Sequence, residues 1–143
     1  MLLLLIVSVA GAQQANTADT HLVVKQLPVE GVMLKNGWKF QAGNNPAWFQ
    51  SNTVDNSWKT INLDQPPLQF LKGTEGGSGW LRLRFLVDST LWQTPMSLRI
   101  TQYGASEVYL DGQLIGKFGS ILPGRIIPFN PHNQLIPLHL EHH

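Results

Sequence analysis

There is no cysteine in the 143 residues of the chain. Disulfide bridges, thiolate zinc sites and a cysteine nucleophile are excluded at once. Charge is scarce as well: Asp, Glu, Lys and Arg supply 13 % of the residues, and the formal net charge is +1. Disordered tails and long solvated helices need charge to stay in water, so neither is expected. No run of Lys or Arg occurs. Nucleic-acid binding needs clustered cations that displace counterions, and no such partner is expected. H-E-x-x-H and G-x-S-x-G are missing, and His21, His132 and His139 stand at no metal-ligand spacing. The run Gly73 to Gly79 is rich in glycine, but neither Lys-Ser, Lys-Thr nor a helix follows it. It is expected to be a flexible strand connection rather than a phosphate cradle. No carboxylate pair is singled out by sequence. The domain is therefore expected to have no catalytic residue, no metal and no cofactor.

Apolar material and turn formers are abundant. Hydrophobic residues make up 43 % of the chain, with 13 Gly, 9 Pro and 5 Trp. The length suits one domain with a real core. The composition suits many short elements joined by tight turns.

Both ends read as additions to that domain. Leu2 to Val9 is apolar and is followed by Ala10-Gly11-Ala12. This is the form of a leader's apolar region with an A-x-A cleavage site, and it is too short to span a bilayer. No Lys or Arg precedes it, and the other reading is an ordinary buried strand. Residues 1–12 are expected to be a signal-peptide remnant, 13–20 a flexible leader, 21–139 a β-sandwich and 140–143 the remnant of an expression tag. The chain is accordingly expected to be exported, to the periplasmic or outer face of a bacterial membrane.

From His21 onward, period-two alternation recurs. Leu22 to Leu27 reads as a first short strand, Gly37 to Phe40 as a second, and Ser57 to Leu63 as a third. In the third, Trp58, Thr60 or Ile61, and Leu63 compete for the core side. The clearest strand is Trp80 to Val87. Leu81, Leu83, Phe85 and Val87 share one face, and Trp80, Arg82, Arg84 and Leu86 the other. Met96, Leu98 and Ile100 alternate with Ser97, Arg99 and Thr101. Asp111-Gly112, between Glu107–Leu110 and Leu114-Ile115, is a strong hairpin signal, because a type I′ turn needs positive φ at both central residues. Pro123 to Pro137 is read as mostly irregular, with Ile126-Ile127 as a short strand. In total seven to eight strands are expected, with no α-helix longer than about two turns.

Tryptophan offers two roles: an exposed indole stacks on sugar C–H faces, and a buried one anchors a core. Trp58 follows the turn Asp55-Asn56-Ser57 and is expected in the core, as is Trp38 beside Phe40. The face of Trp80, Arg82 and Arg84 is either a solvent-facing array or an inter-strand ion-pair ladder. Trp48 and Trp92 fall in loops, where ligands usually sit on sandwiches. Trp48, Trp92, Arg82 and Arg84 are the candidate ligand-binding residues.

Four segments occur in an order that resembles galactose-binding-like jelly rolls, including the sugar-binding domain of family 2 glycoside hydrolases. They are Gly37 to Asn44, Asp55-Asn56-Ser57-Trp58, Gly79 to Phe85 and Val108 to Gly116. The stretch Gly104 to Gly112, with Phe129-Asn130-Pro131-His132-Asn133, resembles the N-terminal extracytoplasmic domain of Bacteroidetes membrane sensor histidine kinases. The likeness covers about Leu34 to Leu138. It implies an all-β, galactose-binding-like jelly-roll sandwich with Trp38, Trp58, Trp80, Phe85, Tyr109, Asp111 and Gly112 as framework positions. Asp111 stands where the hydrolase domains usually have Asn.

The resemblance implies the ligand-sensing ectodomain of a two-component sensor kinase, binding an unidentified small molecule or a glycan. It would meet the membrane only through segments downstream. Alternatives are the sugar-binding accessory domain of an exported glycoside hydrolase and a spacer without a small ligand. The related jelly rolls close a sheet with a strand after the proline-rich stretch. The chain is therefore expected to lack that strand and to self-associate by strand pairing, with Leu2 to Val9 as a donor for the gap.

Overall fold

The computed structural model describes residues 2–9, 22–64, 77–102, 104–131 and 134–140. The fold is all-β. Among the described residues helix is confined to 3-10 turns such as Pro46–Phe49 and Ser89–Leu91, and none is long and apolar enough to cross a membrane. The described residues hold eleven strands: β1 (Leu2–Val9), β2 (Leu22–Val24), β3 (Trp38–Ala42), β4 (Lys59–Ile61), β5 (Ser78–Val87), β6 (Met96–Arg99), β7 (Ala105–Leu110), β8 (Gln113–Phe118), β9 (Ser120–Leu122), β10 (Arg125–Ile127) and β11 (Leu135–Leu138). The count exceeds the expected seven to eight because β1 has no alternation to display, β9 is too short to display one, and β11 falls in the proline-punctuated stretch.

The main sheet has seven strands, in the order β4-β3-β5-β1-β7-β8, with β2 pairing the C-terminal end of β5. β3 is antiparallel to β4 and β5, and β8 is antiparallel to β7. β1 is parallel to both of its neighbours. Hence β5 and β7 point the same way, and the chain must cross over between them. β6 lies in that crossover and pairs with β11 as a two-stranded layer against one face of the main sheet. β9 and β10 form a separate hairpin.

The alternation of β5 decides where the core sits. Leu81, Leu83, Phe85 and Val87 are buried toward the β6–β11 layer, together with Trp38, Phe40, Ile61, Val108, Leu110 and Ile136. Trp38 also donates its indole N–H to the Leu34 carbonyl at 2.7 Å. A Cβ on Gly79 would lie 2.4 Å from the Phe40 ring, so only glycine lets that ring seat against β5. Asp111 (φ 48°) and Gly112 (φ 84°) turn β7 into β8 with positive φ at both positions, the geometry of a type I′ hairpin.

The opposite face of the sheet corrects the reading of the β5 arginines. It is not a solvent-facing array, because the segment 43–58 lies across it, and the ion pairs that its arginines make run to Asp55 of that segment rather than to a neighbouring strand. Trp58 and Trp80 form a second buried cluster there, with Trp48, Phe49, Tyr109 and Ile126 packed around them. Trp58 and Ile61 do not compete for one side: each is buried, on opposite faces. In the stretch 123–137, read as mostly irregular, β10 is the short strand expected at Ile126-Ile127 and β11 is a further one. Of the expected terminal segments, 10–20 and 141–143 lie outside the described residues, as do His21, His132, and Gly73 to Gly76.

Candidate functional site

β5 carries two arginines onto the covered face, and the chain above them supplies what they need. Arg82 donates to the carbonyls of Thr53 (2.8 Å), Trp48 (2.5 Å) and Gln50 (3.0 Å). Its guanidinium lies 5.0 Å from the centre of the Trp58 ring and 3.5 Å from the Asp55 carboxylate. Arg84 pairs with the same carboxylate and donates to Thr53 O at 3.2 Å. Burial first, then repulsion from Arg84, push the Arg82 guanidinium below its ordinary value, while the Asp55 charge and hydrogen bond oppose them. An arginine begins so high that it remains charged.

The fixed fork of a guanidinium explains the choice of residue. Its donors diverge in one plane and can collect several carbonyls from a non-repetitive loop, whereas an ammonium is a point charge. Arg82 therefore clamps the segment 48–53 onto the sheet. The loop also braces itself. Asn45 caps the 3-10 turn by accepting from Ala47 N at 3.0 Å, and the Thr53 hydroxyl donates to Ala47 O at 3.2 Å. The Trp48 and Trp58 rings meet edge to face at 5.4 Å.

This geometry separates the candidate ligand-binding residues. The Arg82 side chain is 0 % exposed, so its assignment to a ligand is corrected: its two terminal nitrogens serve the loop carbonyls, and its Nε is buried without a hydrogen-bond partner. Arg84 keeps 23 % of its side chain exposed, beside Asp55. Trp48 and Trp92 are half-buried rather than freely exposed. Trp92 donates its indole N–H to Val87 O at 3.0 Å and packs on the core face, whereas Trp48 packs on the opposite face. The two indoles cannot line one small site.

A cleft of about 460 Å³ lies instead where the β9–β10 hairpin approaches the ends of β3 and β5. Asn44, Ser78 and Arg125 give it a polar side, and Ile121, Leu122 and Ile126 an apolar one, with Gly124 at the turn. It is a shallow cleft open to solvent rather than an enclosed cavity. The frame behind it is rigid. Gly43 N donates to Ser78 O at 3.2 Å, and the Trp48 ring lies 3.6 Å from where a Gly43 Cβ would stand. Ile126 reaches from the cleft into the Trp58–Trp80 cluster. Of the candidate ligand-binding residues, none lines this cleft; Trp48 lies beside Gly43, next to the lining residue Asn44.

Sequence reasoning passed over Asn44, Arg125 and the hairpin. Their signal was Pro123-Gly124 between two apolar pairs, a turn that leaves Ile121, Leu122 and Ile127 between 40 % and 49 % exposed. Next to the second cluster, Tyr109 donates to Glu107 at 2.7 Å, and Lys117 pairs with Glu107 at 2.9 Å. Burial first, then the hydrogen bond and charge of Glu107, push the Tyr109 phenol up to about 12. Among the described residues no three His, Asp or Glu side chains gather as a metal site would require. No family model, curated protein or solved structure matches the chain.

Proposed function

We propose that this chain is the extracytoplasmic ligand-sensing domain of a membrane-bound two-component sensor histidine kinase, built as a galactose-binding-like jelly-roll sandwich. Its ligand is a small polyhydroxylated molecule of glycan type, taken up without catalysis. The observation that carries this reading is the cleft between Asn44, Ser78, Arg125 and the apolar side chains of the β9–β10 hairpin. Hydroxyls of a sugar suit the amide, hydroxyl and guanidinium, and its C–H faces suit Ile121, Leu122 and Ile126. The order of the four framework segments supports the jelly roll, and the Gly104 to Gly112 stretch supports the sensor class. Signalling requires that the ligand favour one of two states, and the bias cannot exceed its differential affinity for them.

Glycan-array screening followed by calorimetry tests the binding step. A saccharide should bind, and Arg125→Ala should weaken it at least about tenfold, or ~1.4 kcal/mol, with the melting temperature unchanged. Binding that ignores both Arg125→Ala and Asn44→Ala would remove the cleft from the reading. Ligand-dependent autophosphorylation by the full-length protein in vesicles tests the sensing step. Hydrolysis of the same saccharide by the full-length protein would instead point to an accessory domain of a glycoside hydrolase.

A further inference from the structure

The strand β1 is contributed by one end of the chain, yet it lies in the middle of the main sheet. It holds eight registered pairs with β5 and six with β7, parallel to both. No pairing between β5 and β7 replaces it, so without β1 the sheet divides into β4-β3-β5-β2 and β7-β8. Two facing edges would then carry unpaired N–H and C=O groups about 10 Å apart, twice the spacing of neighbouring strands. An exposed edge of that kind is a template for another strand.

The slot is selective in its chemistry. On β5 it is flanked by Trp80, Leu81, Arg82 and Leu83, and on β7 by Ala105, Ser106 and Val108, all buried. A strand that fills a slot between buried neighbours suits a near-continuous apolar run, and Leu2 to Val9 is such a run, broken only by Ser8 and without a charge. In a mixture of identical chains, the abundant strand that meets these conditions is the β1 of another copy.

The connection permits this. Val9 and Leu22 both register with Phe85, and so they lie on the two edges of β5. The twelve residues between them need cover only about 10 Å, although twelve extended residues reach roughly 40 Å. Neither a closed nor an exchanged arrangement strains the connection. Contacts within the slot are the same in both, so the balance is set by the effective concentration of a tethered strand, on the order of millimolar.

We propose that the slot between β5 and β7 is a strand-acceptor site, and that two copies of this chain exchange β1 through it to form a domain-swapped dimer. The closed form dominates in dilute solution and the exchanged dimer near millimolar concentration. The dimer then persists on dilution, because returning the strand requires opening its pairing along both edges.

Since the chain has no cysteine, a directed crosslink tests this. Leu2 registers with Ser78 at the end of β1, and adjacent strands bring Cα atoms to about 4.8 Å, within disulfide range. A full chain with Leu2→Cys and a size tag is unfolded together with one carrying Ser78→Cys. The mixture is refolded at about 1 mM and about 10 μM, then oxidised. A mixed disulfide should form at the higher concentration and fall at least tenfold at the lower. The double variant Leu2→Cys/Ser78→Cys should close within one chain in dilute solution. If it closes while no mixed disulfide forms at either concentration, exchange is overturned. If it does not close, the β1 register and the proposal fall together. Light scattering on the unaltered chain after refolding at both concentrations checks the result without substitutions, and a monomer throughout also refutes it.

Discussion

Replacing Arg82 should uncouple the segment 48–53 from the sheet. Its side chain is wholly buried and donates to three carbonyls; Thr53 O also accepts from Arg84 and Gln50 O from Thr53 N, whereas Trp48 O takes its hydrogen bond from Arg82. Hydrogen bonds from charged groups contribute about 1.5–3 kcal/mol each, but three made by one guanidinium do not add. Removing one member of a buried ionic group typically costs about 3–5 kcal/mol. Asp55 keeps Arg84, Thr53 O keeps Arg84 and Gln50 O keeps Thr53 N, so the loss falls on Trp48 O and on the buried ionic group as a whole, and about 4 kcal/mol is expected. That is a large part of the roughly 5–15 kcal/mol that holds a domain together. At roughly 3 °C per kcal/mol the melting temperature should fall by about 12 °C. Arg82→Met is the informative variant, because it keeps most of the volume while it removes the donors and the charge that faces Asp55 and the Trp58 ring. Urea unfolding followed by tryptophan fluorescence gives the energy, and limited proteolysis should cut within 46–56 in the variant alone. Arg82→Lys should recover less than half of the loss, since one ammonium cannot reach three diverging carbonyls. An Arg82→Met protein within about 1 kcal/mol of the parent, with the loop still protected, would show that the clamp does not hold the segment.

Two further outcomes are expected. Phe85→Ala should cost about 3–5 kcal/mol in urea unfolding, because Phe85 is buried on the core face of β5; a variant as stable as the parent would place β5 one residue out of register. Tyr109 is an acid whose folded pKa is raised from 10.0 to about 12, so its contribution is fully present below pH 10 and is lost as pH rises through about 12. Phenolate absorbance should show it titrating later than an ordinary tyrosine. Tyr109→Phe should flatten the fall in stability over that window, and an unchanged alkaline limb would refute the assignment.

Much of the fold was legible because its signals are local. The alternation of 80–87 is a consequence of pleat geometry, and it places Leu81, Leu83, Phe85 and Val87 on one buried face whatever the rest of the chain does. Asp111-Gly112 states its turn because few residues accept positive φ twice in succession. The site was less legible. Trp48 and Trp92 look equivalent as loop tryptophans, but they pack on opposite faces of one sheet. The cleft joins Asn44, Ser78 and Arg125 from three separate stretches of chain, and no spacing announces such a meeting.

Sequence alone determined the all-β character, the core face of β5, the hairpin at 111–112 and the exclusion of thiol chemistry. Each follows from residue type or from short-range periodicity. Tertiary structure decided the fate of the β5 arginines and the position of Leu2–Val9. A polar residue on the outer face of a strand reads as solvent-facing until a loop is laid over it, and the carbonyls that satisfy Arg82 come from 29 to 34 residues away. A nearly continuous apolar run, broken only by Ser8, has no period. The same letters suit a leader and an inner strand, and the gap between β5 and β7 gives the second reading a place.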